Sequence, residues 1–353
     1  MEESSEVDFG TVSQSAQEWE NGIKKTIEAN GHTWHYIEYG NPQGTPLINI
    51  HGWLGSSADG NDLLSRTFAG EAVSSPGLSA LNQTSPESAQ GLTERVQNLK
   101  GKYHVITPEL PGFGVTEALE GKVSLDQIAE NLVGFQKALS ANQAILFGSS
   151  MGGILAIKMA AAHPESAKAL VVQGTMTQPK DMDKVTYALA QVMTWGPIPK
   201  VMAKLNLTGK LFTATVKGSK DFQIADKPTQ DRIIEATLKS DPMTAATTLK
   251  EIGKDIGDDI NKVTCPVIVV DGANGTLVPI LKSQEAAKRF YPDSPLPEKI
   301  PQKVVFLPLG GDAGEQGHNI VNTLPEGVVS WVDYTLNKMA EDPQNQSPAQ
   351  SAA

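Results

Sequence analysis

The sequence predicts an α/β fold: a mostly parallel sheet with helices on both faces and a helical insertion. Short apolar segments typical of buried strands alternate along the chain with longer segments of helical periodicity. Residues 175–263 interrupt this alternation, because their helical patterns have no strand signal between them. Strands that alternate with helices pair in parallel, and such sheets carry their sites at the carboxyl ends of the strands.

The composition is typical of a globular protein and disfavours polyanionic binding partners. The chain has 353 residues, of which 39% are hydrophobic and 20% charged, and its net charge of −11 disfavours nucleic acid and anionic membranes as partners. Its one cysteine, Cys265, excludes an internal disulfide and is predicted to be a core thiol. No signal-peptide pattern or membrane-length apolar run is present, so we expect a soluble, cytoplasmic protein.

The chain divides into a core, an insertion and two tails. Residues 1–20 and 340–353 are polar and are expected to be disordered. The core is predicted over residues 21–174 and 264–339, and the helical lid over residues 175–263. Alternating polarity around Asn30-Gly31 predicts a β-hairpin at the start of the core.

The most informative stretch is a G-S-S-M-G sequence at residues 148–152. An apolar strand, Ala144 to Phe147, precedes it and a helical pattern follows it. The flanking glycines permit a tight, strained strand-to-helix turn that exposes the hydroxyl of Ser150, which makes Ser150 the candidate nucleophile. The alternative is a glycine-rich turn in which a serine only caps the helix.

A second turn follows the apolar strand PLINI. His51-Gly52-Trp53 ends that strand, at the sheet edge where backbone N–H groups can stabilise an oxyanion in acyl transfer. The alternative is an ordinary strand-end turn. Residues 57–101 come next and show little periodicity beyond two helical pieces, so we expect an elaborated loop at the mouth of the site.

A serine hydroxyl needs a general base, and we expect His318 to supply it. His318 follows a strand directly, beside Gly317, at the edge where Ser150 emerges. His163 ends the helix that starts at Ser150 and is therefore distant, His104 lies early in a strand, and His51 is expected to brace its own turn. The alternative for His318 is a surface histidine. The remaining histidines, His32 and His35, fall in the predicted hairpin.

Four motifs occur in an order that resembles the α/β-hydrolase family: His51-Gly52-Trp53, Glu109-Leu110-Pro111-Gly112-Phe113-Gly114, Gly148-Ser149-Ser150-Met151-Gly152 and Gly317-His318. The resemblance covers about residues 23–338, with the lid after the sixth strand. It implies an eight-stranded type of sheet and a Ser-His-acid triad. It further implies an oxyanion hole formed by the backbone N–H groups of Trp53 and Met151, and no cofactor.

The acid of the triad departs from the family pattern. The family's usual position falls on Gly275, and its alternative position falls near Gln173 and Gly174, none of which is acidic. Asp271 ends the same strand and is the preferred substitute. The other candidates are Asn274, which could orient the histidine without a charge, and Asp312 and Glu315 in the loop of His318.

These residues lead to two hypotheses about function. The first is a serine hydrolase that cleaves a carboxylic ester, a lactone or another small acyl substrate, with C–C hydrolysis, peptidase action and acyl transfer left open. The second is a ligand-binding or scaffold member of the fold with weak or lost catalysis, suggested by Gly275 and the long segment 57–101. The sequence predicts neither the substrate nor the oligomeric state.

Overall fold

The computed structural model describes residues 22–57, 60–121, 123–179, 188, 191–192, 195, 198, 201, 207–218, 222–223, 227–272, 285, 287, 289–290, 304–309 and 320–341. An eight-stranded sheet lies at its centre, in the order β1-β2-β4-β3-β5-β6-β7-β8. The strands are Ile23–Ala29 (β1), His32–Gly40 (β2), Thr45–Ile50 (β3), Tyr103–Pro108 (β4), Ala144–Ser149 (β5), Ala167–Gln173 (β6), Val267–Gly272 (β7) and Val304–Leu309 (β8). From β4 to β8 neighbours pair in parallel, whereas β2 is antiparallel to β1 and β4, so the predicted fold class is confirmed.

The hairpin at the sheet edge forms where the sequence predicts it. Ala29 pairs with His32, which leaves Asn30 and Gly31 as a two-residue turn with φ angles of 53° and 76°. Asparagine and glycine tolerate this left-handed backbone better than other residues, and such a turn matches the twist of the two strands.

Helices cover both faces of the sheet, and a further set lies between β6 and β7. The helices are Gly60–Phe68 (α1), Pro76–Thr84 (α2), Pro86–Gln97 (α3), Leu125–Ala138 (α4), Met151–Ala162 (α5), Leu207–Gly218 (α6), Lys227–Lys239 (α7), Pro242–Ile252 (α8), Gly257–Ile260 (α9), Ile320–Thr323 (α10) and Pro325–Glu341 (α11). Helices α4 and α5 pack together on one face, and α1, α3 and α11 pack on the other. Ser124 caps the N-terminus of α4, where its side chain accepts a hydrogen bond from the backbone N–H of Gln127.

Residues 57–101 differ from their prediction. The structure shows three helices there, α1 to α3, rather than an elaborated loop. Two Ser-Pro pairs explain the difference, because Ser75-Pro76 and Ser85-Pro86 each place proline in the first turn of a helix, where a missing N–H costs nothing.

Helix α11 runs to Glu341, two residues into the predicted C-terminal tail, while residues 1–21 and 342–353 lie outside the described residues. Among the helices that the structure describes, none is long and apolar enough to cross a membrane. Cys265 lies just before β7, and burial raises the pKa of its thiol to about 12, as expected for an unreactive core thiol.

Candidate active site

Ser150 occupies the junction between β5 and α5 in a strained backbone conformation. Its φ of 54° and ψ of −115° lie where residues other than glycine are rarely found, at a cost of about 1–3 kcal/mol. Its N–H donates to the carbonyl oxygen of Gln173 at 2.7 Å, and its own carbonyl oxygen accepts from the N–H of Gly153 at 3.0 Å. These bonds to β6 and α5 hold the serine in the turn that the sequence predicts.

The glycines around Ser150 leave no space for a side chain. A Cβ on Gly148 would overlap the backbone of Gly152, and one on Gly152 would overlap the carbonyl oxygen of Ile50. A Cβ on Gly153 would overlap the hydroxyl of Thr175. Close contact between β3, β5 and α5 therefore requires these glycines, as expected for a tight strand-to-helix turn.

Thr175 is a brace that sequence reasoning did not find. Its hydroxyl lies 3.2 Å from the carbonyl oxygen of Gln173 and 3.4 Å from that of Ser150, so it can donate to either. Its signal in the sequence is only its place two residues beyond the end of β6. Its role depends on contact with a turn 25 residues away, which no local pattern reveals.

The turn after β3 lies directly against Ser150. The N–H of Gly55 donates to the carbonyl oxygen of Gly52 at 3.1 Å, which closes the turn around Trp53. A Cβ on Gly52 would lie 3.3 Å from the Cβ of Ser150, so the two turns are in contact. Met151 is the first residue of α5, where backbone N–H groups have no partner within the helix. The structure thus brings together Ser150, Met151 and the turn that contains Trp53.

The side chain of Trp53 connects this turn to the helices between β6 and β7. Its indole N–H donates to the carbonyl oxygen of Ala245 in α8 at 2.8 Å. Its ring meets that of Phe212 in α6 edge-on, with 5.0 Å between centroids. The turn beside Ser150 is therefore in direct contact with both α6 and α8.

His51 braces the same turn, as the sequence analysis expects. Its Nε2 accepts the N–H of Leu110 at 3.1 Å, and its Nδ1 donates to the carbonyl oxygen of Gly52 at 2.8 Å. Burial lowers the pKa of His51, and this outweighs the opposite effects of Glu109 and the Gly52 carbonyl. A neutral imidazole with both nitrogens engaged positions the backbone and has no nitrogen left to serve as a general base.

Glu109 has a structural role that its motif did not reveal. One carboxylate oxygen accepts from the N–H and the hydroxyl of Ser57, at 2.5 and 2.6 Å, and the other accepts from the N–H of Val115 at 3.0 Å. A Cβ on Gly114 would overlap this carboxylate. Glu109 therefore ties the loop after β3 to the loop after β4.

Asp271 lies at the same edge of the sheet as Ser150. The register aligns Ser149 with Gln173, and Gln173 with Val270, so Ser150 and Asp271 each follow the aligned positions by one residue. Their strands are separated only by β6, which sets them about 10 Å apart at ordinary strand spacing. Asp271 is completely buried, and one carboxylate oxygen accepts from the N–H of Gly272 at 2.9 Å.

The other residues considered in the sequence either lie outside the described residues or have acidic neighbours elsewhere in the fold. His318, Gly275, Asn274, Asp312 and Glu315 lie outside the described residues. Two histidines that the sequence disfavours as the general base have acidic neighbours. His104 lies 3.5 Å from Glu38, and His163 lies 3.0 Å from Glu130. Within the described part of the chain, no group of histidine, cysteine, aspartate and glutamate side chains could hold a metal ion.

Comparison with known proteins gives a consistent result. The sequence model of a family described as "Serine aminopeptidase, S33" matches residues 87–295. The 2-hydroxymuconate semialdehyde hydrolase of Pseudomonas putida is 38% identical over 73 residues, 20% of this chain and only about a quarter (26%) of that enzyme. A longer match, 22% identical over 275 residues, covers 76% of this chain and 79% of the 2-hydroxy-6-oxo-6-(2'-aminophenyl)hexa-2,4-dienoic acid hydrolase of Metapseudomonas resinovorans.

The fold is also similar to solved structures. The enol-lactonase from Burkholderia xenovorans superimposes with a TM-score of 0.59 at 16% identity, covering 89% of this chain and 100% of that one. At this level of identity the similarity shows the shared fold and does not transfer a substrate.

Proposed function

This chain belongs to the α/β-hydrolase family, and from that premise we propose that it is a serine hydrolase acting on a carboxylic ester, a lactone or a related small acyl compound. The observation that carries the proposal is the backbone of Ser150. A serine kept at φ 54° between close-packed glycines costs stability, and such strain is typical of a functional position. A serine that only capped a helix would accept an N–H with its side chain, and Ser150 makes no such bond.

In the proposed reaction, the Ser150 hydroxyl attacks the substrate carbonyl and its proton passes to His318. The backbone N–H groups of Trp53 and Met151 stabilise the oxyanion, and Asp271 orients the histidine. The tetrahedral intermediate collapses when the leaving alcohol takes the proton from His318. Water, deprotonated by His318, then attacks the acyl-enzyme and releases the acid and free Ser150.

We further propose that residues 175–263 act as a lid over the core. The indole bond from Trp53 to Ala245 and the bond from the Asp241 N–H to the Gly112 carbonyl oxygen, at 2.8 Å, support this assignment. Both bonds join the insertion to loops at the carboxyl edge of the sheet. A lid anchored there would shape the substrate cavity.

The cytoplasmic location of the protein stays a prediction.

Covalent labelling tests the nucleophile directly. Wild type and variants are incubated with a fluorophosphonate, and the adduct is followed by intact mass spectrometry. We expect labelling to be abolished in Ser150→Ala and His318→Ala, and to slow by about 10⁴-fold in Asp271→Asn if Asp271 orients the base. Ser149→Ala is the matched control, because the buried hydroxyl of Ser149 has no hydrogen-bond partner among the described residues.

Each outcome assigns the site differently. Labelling that does not respond to Asp271→Asn would move the acid to another residue. A folded wild type that is not labelled would favour the ligand-binding hypothesis instead. Turnover of a panel containing an ester, a lactone, an amide and a diketone then separates ester hydrolysis from the peptidase and C–C hydrolase alternatives that the relatives raise.

A further inference from the structure

The insertion between β6 and β7 carries a row of exposed apolar side chains. Trp195 is 72% exposed, and Val192 and Val201 are each more than half exposed. The N–H of Trp195 donates to the carbonyl oxygen of Val192 at 3.1 Å, and the N–H of Ile198 donates to that of Trp195 at 3.2 Å. Bonds between residues three positions apart bring their side chains to one side of the chain. Clustered apolar side chains that are this exposed indicate an interaction site.

The same part of the insertion is strongly basic. Between Asp183 and Asp221 the sequence has six lysines and no acidic residue, although the whole chain carries a net charge of −11. The remainder of the chain therefore carries −17. At physiological ionic strength charges act over about 8 Å, so a partner that meets this segment interacts with its lysines rather than with the net charge of the protein.

Helix α6 presents part of this charge on the side turned away from Phe212. Phe212 is 2% exposed and meets Trp53 edge-on, as described above. Lys210 and Lys217 are exposed and lie two and five residues from Phe212, which places them on roughly the opposite side of the helix. Because they are seven residues apart, close to two full turns, they share one face of α6.

The apolar row and α6 are close along the chain. Val201 precedes Leu207, the first residue of α6, by six positions, which limits their separation to about 20 Å. A lipid bilayer is a continuous surface, so side chains at such a distance can contact it together. Lysines alone would suit any polyanion, whereas exposed valines are favoured only where apolar chains are available. Tryptophan, aliphatic residues and lysines together are typical of segments that lie at the boundary between lipid headgroups and acyl chains.

We propose that this basic and apolar surface docks on an anionic lipid bilayer. Its members are Val192, Trp195, Val201, Lys210 and Lys217. The apolar side chains enter the boundary below the headgroups, and the lysines bind the lipid anions. The proposal departs from the expectation based on net charge, because the charge is unevenly distributed along the chain. Repulsion of the acidic remainder makes the insertion approach the membrane first.

This orientation brings the candidate active site close to the lipid. The lysines of α6 face the membrane, and Phe212 on the other side of the helix contacts Trp53. The turn beside Ser150 would then lie about one helix diameter, roughly 10 Å, from the membrane surface.

Vesicle flotation of the full chain tests the docking. The chain is mixed with vesicles of equal parts phosphatidylglycerol and phosphatidylcholine, or of phosphatidylcholine alone, at physiological ionic strength. We expect at least tenfold stronger binding to the anionic vesicles, and weaker binding when salt is added. No binding to the anionic vesicles, or equal binding to both kinds, would overturn the proposal.

Apolar variants locate the contact. Trp195→Ser/Val201→Ser is expected to weaken binding at least tenfold, whereas Trp331→Ser, at a tryptophan 43% exposed on α11, should stay within twofold of wild type. Vesicles with brominated acyl chains quench a tryptophan that enters the bilayer. Quenching is expected in wild type and Trp331→Phe and not in Trp195→Phe. Quenching retained by Trp195→Phe, or an equal loss of binding in Trp331→Ser, would overturn the proposal.

Charge variants test the lysines of α6. Lys210→Glu/Lys217→Glu is expected to weaken vesicle binding at least tenfold. Lys168→Glu/Lys262→Glu makes the same charge change at two exposed positions outside the proposed surface and should stay within twofold of wild type. An equal loss in both double variants would show that net charge, and not this face, controls the binding.

A second copy of the chain is the other possible occupant. Size-exclusion chromatography with light scattering should give the same mass for wild type and Trp195→Ser. A wild-type dimer that Trp195→Ser dissociates would overturn the proposal, because a second copy would then cover the surface.

The docking does not depend on the proposed acyl chemistry. Ser150→Ala should bind the anionic vesicles as wild type does, and loss of binding in this variant would contradict the proposed surface. Failure of the fluorophosphonate to label wild type would contradict the proposed function. It would leave the flotation result unchanged.

Discussion

At the residue scale, Ser150 lies in a backbone conformation that its neighbours enforce. Its N–H and carbonyl groups bond to β6 and α5, and Gly148, Gly152 and Gly52 provide the space that the turn needs. A turn of this kind is sensitive to added volume, since the atoms that face Gly148 and Gly152 are backbone atoms that cannot rotate away.

Substitution of Gly152 tests that sensitivity. Gly152→Ala would place a methyl group against the carbonyl oxygens of Ile50 and His51, and we expect a loss of about 1–3 kcal/mol in the free energy of unfolding. If Ser150 is the nucleophile, fluorophosphonate labelling should slow as well. Urea denaturation measures the first effect and intact mass the second.

Gly91→Ala provides the comparison for the same chemical change. Gly91 lies inside α3, with nothing within 4 Å of an added Cβ. Alanine is a better helix former than glycine, so the free energy of unfolding of this variant should rise by about 0.5–1 kcal/mol. Equal stability of the two variants would mean that the space around Gly152 is not restrictive.

At the scale of elements, one buried hydrogen bond joins α2 to α11. Ser75 accepts the N–H of Leu78 at 3.1 Å as the cap of α2, and its hydroxyl donates to Glu326 in the first turn of α11 at 2.7 Å. Glu326 is only 1% exposed. Burial raises the pKa of Glu326 to about 7, although the Ser75 hydroxyl acts in the opposite direction.

This carboxyl makes stability depend on pH. The pKa of Glu326 is higher in the folded chain than its ordinary value of 4.5. At a pH between 4.5 and about 7, the folded state therefore binds more protons than the unfolded state. The stabilising contribution is complete below about pH 4.5 and is lost as the pH rises through about 7. Relative to Glu326→Gln, wild type should therefore lose about 2–3 kcal/mol of unfolding free energy between pH 5 and pH 8.

Urea titrations of both proteins at pH 5 and pH 8 measure this difference. The contributions of the other titratable groups cancel, because both proteins contain them. Glu87→Gln removes a carboxylate from the first turn of the neighbouring α3 and should leave the pH dependence as in wild type. A wild-type curve parallel to that of Glu326→Gln would show that Glu326 is ionised in the folded chain at pH 5.

At the scale of the whole molecule, the sheet has a core on each face. Consecutive residues of β5 alternate between them: Leu146 belongs to the core with α4 and α5, and Phe147 to the core with α1 and α11. Every residue of β5 is buried, whereas the edge strand β1 alternates between partly buried and exposed residues over most of its length. This is the pattern expected of a central parallel strand.

Truncation of Leu146 or of Phe147 should therefore lower the free energy of unfolding, each through a different face of the sheet. We expect Leu146→Ala to lose about 2–5 kcal/mol and Phe147→Ala about 3–5 kcal/mol, because both side chains are fully buried. Leu238→Ala, at a 60% exposed position, should change stability by less than about 0.5 kcal/mol. Chemical denaturation checks all three, and a small loss for either β5 variant would mean that its face of the sheet is poorly packed.

The sequence by itself determined the features that depend on neighbouring residues. The alternation of strands and helices predicted the fold class, Asn30-Gly31 predicted the hairpin, and the glycines around Ser150 predicted the strained turn. Each follows from backbone preferences or periodicity within a few residues. The same reasoning placed Asp271 at the end of an apolar strand, and the structure has it there, in β7.

Only the tertiary structure decided what distant residues do together. Ser75 and Glu326 are 251 positions apart, and Ser57 and Glu109 are 52 apart, so no local pattern reveals either contact. Burial changes the chemistry of such groups, and burial is a property of the folded chain and not of any segment.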